Sequence, residues 1–428
     1  MKKLLLFIVS IFWGLTNPLF PQNINGRFTS ALYTFERFDT VNNSNTYART
    51  YQMLYFTFGK DNVSLKSYLN LEADLSESQT YDPRFRFYNL YVNVRDLFDV
   101  MYLKLGRQPL FNSIGGGTFD GLMMGFKYEG FDINGYYGGN VPAYQKFSFT
   151  DDLGNDFVAG GKITYYSIKN TRLALKYLNK NFKSIRYTTT RLSPEFETNP
   201  NYIIDNSSEQ YEYITAEVSY DEPDIFRVDT KYDYDLNFST TSKFEIQARY
   251  EEIENLGISA YYNFREPKIR YNSIFSVFNF QNSQEIEIGG DYLIDKDYRI
   301  IGKFGNVSYT DESSQRVSLG VSSTWGTLMG RKTFGYAGEL SSVSVYTART
   351  ICEGLLTPSL SLAYTNYKLS SDDDSNDMVT LLVGLNYRPM RIISFDVQGQ
   401  YLNNKIYNND FRLLLKLNYW FNVNFQEI

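Results

Sequence analysis

The chain has 428 residues, a net charge of −6, no histidine, one cysteine, 38 tyrosines and 33 phenylalanines. The acidic balance argues against a nucleic-acid partner. The lone Cys352 allows no internal disulfide, and the missing imidazole removes Ser-His-Asp chemistry and the usual histidine metal sites.

The chain opens with MKKLLLFIVSIFWGLTNPLF. Lys2 and Lys3 precede a short apolar run from Leu4 to Leu15, the pattern of an export signal, with a boundary expected near Gln22. Beyond it no apolar run reaches the roughly 18 residues of a membrane-spanning helix. Strand signals then recur. In 63–75, Val63, Leu65, Leu69, Leu71 and Leu75 share one parity, while Lys66, Asn70, Glu72 and Asp74 share the other. In 101–107, Met101, Leu103 and Leu105 alternate with Tyr102, Lys104 and Gly106, and in 122–128 Leu122, Met124, Phe126 and Tyr128 face one way. In 226–236, Phe226, Val228, Tyr232, Tyr234 and Leu236 oppose Arg227, Asp229, Lys231, Asp233 and Asp235. The pattern returns at 393–401 and at 411–421, where Phe411, Leu413, Leu415, Leu417, Tyr419 and Phe421 alternate with Arg412, Lys416 and Asn418. Segments of about ten residues that alternate in this way, in an aromatic-rich chain of polar average, predict an antiparallel transmembrane β-barrel.

Connection lengths support the same class. GKDN at 59–62, EG at 129–130, SIKN at 167–170 and DEPD at 221–224 are short, whereas 76–83, 108–118, 140–155 and about 180–208 are long. Short turns on one side and long loops on the other are expected of an outer-membrane barrel. Counting up from Gly26 puts the acidic loop at Asp372, Asp373 and Asp374 on the short-turn side, while counting back from the C-terminus puts it on the other. An even number of strands resolves the conflict: about 22 are expected, with 20 or 24 as alternatives, over residues 23–428 and without a plug domain.

If the apolar parity meets lipid, the charged parity lines the lumen. The pore-lining candidates are Lys66, Glu72, Lys104, Arg107, Asp120, Arg227, Asp229, Lys231, Asp233, Asp235, Glu285, Glu287, Asp291, Arg412 and Lys416. Unpaired charge is costly away from water, so these groups must pair across strands or face solvent. Cross-strand pairing is the favoured arrangement; opposed charge stripes that orient a solute are the alternative. A wide barrel needs a constriction. The long loop near 180–208, with Arg186, Arg191, Glu195 and Glu197, is the first candidate, and 105–121, with the glycine run Gly115 to Gly117, is the second. A phosphate-binding reading of those glycines lacks the lysine and the helix it requires.

The run YLKLGRQPL at 102–110, followed by FDGLMMGFKYEGFDINGYYGG at 119–139, resembles a hairpin of alginate-export-type and related porin-like barrels. The matching positions are Gly106, Arg107, Gln108, Phe119, Asp120 and Gly121. The resemblance implies an outer-membrane conduit for polysaccharide or small polar solutes. Alginate conduits are expected to be strongly cationic inside, whereas the lumen expected here is mixed. Within the hairpin, Arg107 and Asp120 are expected to pair.

These readings converge on a non-enzymatic channel in the outer membrane of a Gram-negative-type bacterium. It would pass small polar solutes or saccharides passively, with no cofactor or metal. Its partners would be membrane lipid and solute, and a homo-oligomer is compatible with its apolar face. The alternatives are a non-conducting barrel for docking or secretion assembly and a surface adhesin; the polar loops argue against the adhesin.

Overall fold

Successive strand side chains point to opposite faces, so alternating residues ask for a sheet wet on one side and apolar on the other. A membrane-spanning sheet must also close, because an open edge leaves backbone groups unsatisfied in hydrocarbon. The computed structural model meets both demands. It describes residues 23–424 apart from 41–42, 77–81, 113, 184–186, 191–200, 205–210, 268–281, 310–311, 336–338, 369–373 and 406–408. The expected export signal therefore lies outside the described residues.

In chain order the strands are β1 (Asn23–Thr40), β2 (Asn43–Lys60), β3 (Val63–Asp74), β4 (Arg84–Leu97), β5 (Met101–Leu110), β6 (Gly117–Tyr128), β7 (Phe131–Asn140), β8 (Phe157–Tyr165), β9 (Thr171–Asn181), β10 (Tyr187–Thr190), β11 (Asn201–Ile204) and β12 (Tyr211–Glu222). They continue with β13 (Phe226–Asp235), β14 (Thr240–Tyr250), β15 (Leu256–Arg265), β16 (Ser283–Leu293), β17 (Tyr298–Ser308), β18 (Ser313–Ser323), β19 (Gly326–Phe334), β20 (Glu339–Ala348), β21 (Leu356–Tyr367), β22 (Asn376–Met390), β23 (Ile393–Asn403) and β24 (Asp410–Asn424). A 22-stranded antiparallel sheet closes where β1 pairs with β24, as in Thr29↔Asn418 and Ala31↔Lys416. β10 and β11 form a separate two-stranded hairpin within the connection from β9 to β12.

The two ends differ. At one, the connections are short; Glu129 and Gly130 take φ of 44° and 85°, the paired positive values of a type I′ hairpin turn. At the other end lie the long connections, including 75–83, 111–116, 141–156, 182–210, 266–282 and 368–375. The 368–375 connection joins β21 to β22 on the long-loop side, so counting back from the C-terminus places the acidic loop correctly. The upward count slips where Gly and Ser punctuate β16 to β20 and weaken the alternation.

Directly paired residues share a face, so the register separates inside from outside. Pro358, Leu385, Val397, Leu415 and Leu32 pair in succession across neighbouring strands and form part of an outer apolar row. Only eight apolar side chains are buried among the described residues, while Leu, Ile, Val, Phe and Tyr are exposed all round the wall. So large a continuous apolar surface is a lipid-facing surface, since soluble monomers rarely expose apolar patches beyond a few hundred Å².

Candidate permeation path and its constriction

The inner face is polar. One uninterrupted row of paired residues runs Lys127, Asp132, Thr164, Ala174, Glu217, Lys231, Glu245, Asn263 and Glu285 from β6 to β16. Lys66, Glu72, Lys104, Arg227, Asp229, Lys231, Asp233, Asp235, Glu285, Glu287, Asp291, Arg412 and Lys416 all have this inner parity.

Across β9 to β18 the wall charges pair with neighbours. Glu217 lies 2.6 Å from Lys176 and 3.7 Å from Lys231. Asp291 takes Arg249 at 2.8 Å and Arg299 at 3.5 Å. Glu287 takes Lys303 at 2.8 Å and Arg316 at 3.0 Å, and Arg316 reaches Glu285 at 2.8 Å. Arg227 pairs with Asp229 at 2.9 Å, and Lys416 with Asp396 at 3.6 Å. On β3, Glu72 collects Arg84 at 2.8 Å, Arg86 at 3.1 Å and Arg49 at 3.5 Å, and at 4% exposure it is shielded from the water path it was expected to line. Arg412 bonds Asp410, its neighbour two residues earlier on β24.

Two sectors break this pattern. On β18 to β21 much of the inner face is small and hydroxylic: Ser318, Ser322, Thr327, Ser342, Ser344 and Ser361. On β3 to β8, Lys66, Lys104, Lys127 and Lys162 have no carboxylate within ion-pair distance among the described residues. Lys104 and Lys127 flank the Tyr102 ring at 5.9 and 5.5 Å, and the Tyr102 hydroxyl donates to Asp132 at 3.1 Å. Lys66, Lys104 and Lys127 line a recess of ≈ 400 Å³ near the short-turn end, together with Arg95, Asp96, Asp99 and Asp132.

Asp233 and Asp235 keep the inner parity but are 0% and 2% exposed. Asp233 accepts from Thr215 Oγ1. Asp235 accepts from the Tyr213 hydroxyl at 2.7 Å and from the Phe238 amide at 3.1 Å, which anchors the turn after β13. Their expected contact with the water path is therefore corrected. Asp233→Ala is expected to cost about 1–3 kcal/mol, the penalty for stranding a buried polar group. Ion preference should stay at the wild-type value; a shifted reversal potential would show that water reaches this carboxylate.

Arg107 and Asp120 are a second correction. They pair with each other and share parity with Leu105 and Leu122, opposite to Lys104. The expected ion pair is present, bidentate at 2.7 Å for each bond, with side chains 4% and 3% exposed. Arg107 also donates to the carbonyls of Phe87 at 3.0 Å, Gln145 at 3.1 Å, Lys146 at 2.9 Å and Ser148 at 3.2 Å. It thus fastens the loop 141–156 to the wall rather than facing the pore.

The described ends of the β5–β6 connection reach the inner face of the wall. Asn112 Nδ2 donates to Tyr136 Oη at 3.2 Å, and Lys180 Nζ donates to the Gly115 carbonyl at 3.3 Å. Tyr136, Leu178 and Lys180 all have inner parity, so the tip lies inside the barrel. Leu110, Phe119, Tyr136, Val158 and Leu178 form a buried apolar cluster beneath it. Of the second constriction candidate, 105–121, the described residues Asn112 and Gly115 touch the inner-face residues Tyr136 and Lys180. Arg186, Arg191, Glu195 and Glu197 lie outside the described residues.

Several inner-wall residues escaped the sequence reading. Lys127 sits between Phe126 and Tyr128, and Arg84 and Arg86 alternate with Phe85 and Phe87, so parity alone would have found them. The inner apolar cluster carries no such signal, because Leu110, Phe119, Tyr136, Val158 and Leu178 occupy the parity that is polar elsewhere in the wall. No grouping of His, Cys, Asp and Glu suited to a metal ion occurs among the described residues.

No family model and no curated protein matches the chain. Solved structures align over most of its length. OccAB1 of Acinetobacter baumannii aligns with a TM-score of 0.45 and 10% identity, over 94% of this chain and 97% of that one. OpdK of Pseudomonas aeruginosa with vanillate gives 0.44 and 9%, over 94% and 99%. A BenF-like porin from Pseudomonas fluorescens Pf-5 gives 0.44 and 10%, over 94% and 99%. These three do not support the finer resemblance to alginate-export barrels. The closed barrel rests on its own hydrogen-bonded register.

Proposed function

We propose that the protein is an outer-membrane channel through which small polar solutes diffuse passively, with residues 1–22 as its export signal. One observation carries this reading: a closed sheet with an apolar outer face encloses a wall of ionised groups, many of them partly exposed to the interior. Charges in that setting need water, and water within a membrane-spanning cylinder is a path. The lumen is mixed in charge, which suits small polar solutes, saccharides included, better than a long polyanion. The unpaired lysines of β3 to β8 bias the path toward anions.

Replacing Lys66, Lys104, Lys127 and Lys162 together with glutamine should therefore move the reversal potential in a salt gradient toward cation preference. An unchanged potential would remove these lysines from the path.

The competing reading, a non-conducting barrel that serves docking or assembly, draws on the apolar cluster inside the lumen. Planar-bilayer recording separates the two. Discrete conductance steps from the folded protein support the channel; silence from folded, inserted protein supports the docking barrel.

A further inference from the structure

The inner wall differs from one side to the other. On β13 to β19 the described inner-facing positions carry one aromatic ring, Tyr261, among charged, polar and aliphatic residues. On β1 to β4 the same face is crowded with rings. Tyr47, Tyr51 and Tyr55 recur at every fourth residue of β2, with Arg49 and Met53 between them. Phe35 pairs with Tyr47 and Tyr55 with Tyr68, so the row extends onto both flanking strands. Tyr91 follows on β4, paired with Lys66.

These rings run along the pore from its mouth. At the long-loop end the β1–β2 hairpin outruns its neighbours: the β1–β24 ladder stops at Thr34 and the β2–β3 ladder at Arg49. Phe35 and Tyr47 stand on that extension, with ring centroids 5.8 Å apart and planes within 21°. Tyr33 stacks on Phe35 at 5.5 Å. From Tyr47 to Tyr55 the strand covers roughly 27 Å. Nearer the short-turn end Tyr68 stacks on Tyr88 at 4.9 Å. None of these rings is buried, and Tyr55 is 44% exposed. Beside them Glu72 holds the partly exposed guanidiniums of Arg49, Arg84 and Arg86. Those three cations are matched by Glu72, Asp74 and Asp82, so the flank of the row is neutral.

A wet lumen gives no reason to hold rings in water, and a contiguous exposed apolar surface marks a binding surface. Small ions need charge, and a row of rings offers them little. A sugar ring has apolar C–H faces and hydroxyls round its edge. The C–H groups suit the electron-rich face of an aromatic ring, and the hydroxyls suit tyrosine hydroxyls and guanidinium donors. A row of rings along the pore suits a chain of sugars, and its neutral flank suits uncharged ones.

We infer that the aromatic row on β1 to β4 is a track for linear, uncharged oligosaccharides, entered at Phe35 and Tyr47 and left past Tyr91. This inference rests on the channel reading and names its solute class. Successive weak sites let a solute enter and still leave, as conduction requires.

Current fluctuations in planar bilayers test the track, with maltohexaose and cellohexaose as probes on the long-loop side. The wild-type channel should show transient blocks with at least one of them. Tyr51→Leu and Tyr55→Leu keep apolar bulk but remove a ring, and each should shorten the blocks roughly two- to tenfold. Tyr55→Phe keeps the ring and should stay close to wild type. Phe56→Ala, on the lipid-facing parity of the same strand, should leave block lengths unchanged. Should the leucine variants fail to fold, Tyr47→Leu, on the extension beyond the flanking ladders, carries the same expectation. A conducting channel that neither sugar blocks would overturn the track and leave the channel reading intact. Blocks whose length ignores every ring removal would do the same. Blocks by benzoate alone would give the rings to planar aromatic acids and overturn the sugar track. Silence from folded, inserted protein would overturn the channel reading itself, and the track with it.

Discussion

Replacing Asp120 with alanine is expected to lower the unfolding free energy of the barrel by about 3–5 kcal/mol, the range for stripping one partner from a buried ion pair. The size follows from burial: both side chains are nearly inaccessible, at 4% and 3% exposure. Asp120 supplies two of the six hydrogen bonds made by the Arg107 guanidinium. Removing it leaves a cation whose remaining acceptors are neutral carbonyls. Urea unfolding of protein folded into vesicles measures the effect. The companion Arg107→Met, Asp120→Leu double variant should recover part of the loss, because no charge is then left buried. It should not recover all of it, because the loop carbonyls of Gln145, Lys146 and Ser148 lose their donor as well. A loss below about 1 kcal/mol for Asp120→Ala would mean that solvent reaches the pair, as in ordinary surface salt bridges.

The second large effect uses two adjacent leucines on β24. Leu415 pairs with Val397 and Leu32 on the outer face, and Leu414 pairs with Gln398 and Tyr33 on the inner face. Arginine at position 415 should cost about 2–4 kcal/mol, the measured range for a cation facing lipid near the bilayer midplane. Arginine at position 414 should cost far less, because its head enters a wet lumen. Hydrophobicity, strand propensity and depth are the same at both sites, so the difference isolates which face meets hydrocarbon. Equal costs would mean that both faces see one solvent.

The barrel class and the antiparallel order were legible because each strand carries its own contrast. In 411–421 six apolar residues of one parity enclose Arg412, Lys416 and Asn418, and the observed β24 spans that segment. The strand number was harder to read. Along β18 and β19 the inner residues are Ser, Gly, Thr and Met as well as Arg316 and Arg331, so turns and strand interiors look alike. Arg107 shows a different limit. It follows Leu105 on the apolar parity, yet its charge suggested the lumen. Parity was the better guide, and the loop that makes a buried cation tolerable there comes from residues 145–148, far along the chain. Asp233 and Asp235 show the complement: parity placed them inside, but burial depends on packing that no single strand encodes.

Single-cysteine scanning of 411–421, in a Cys352→Ser background reconstituted in vesicles, shows which parity of β24 meets lipid and which meets water. Each thiol carries a fluorophore, and quenching by a lipid-phase quencher is compared with quenching by an aqueous one. Alternation is expected: lipid quenching at 411, 413, 415, 417, 419 and 421, and aqueous quenching at 412, 414, 416 and 420. Uniform aqueous access, or alternation of the opposite phase, would contradict it.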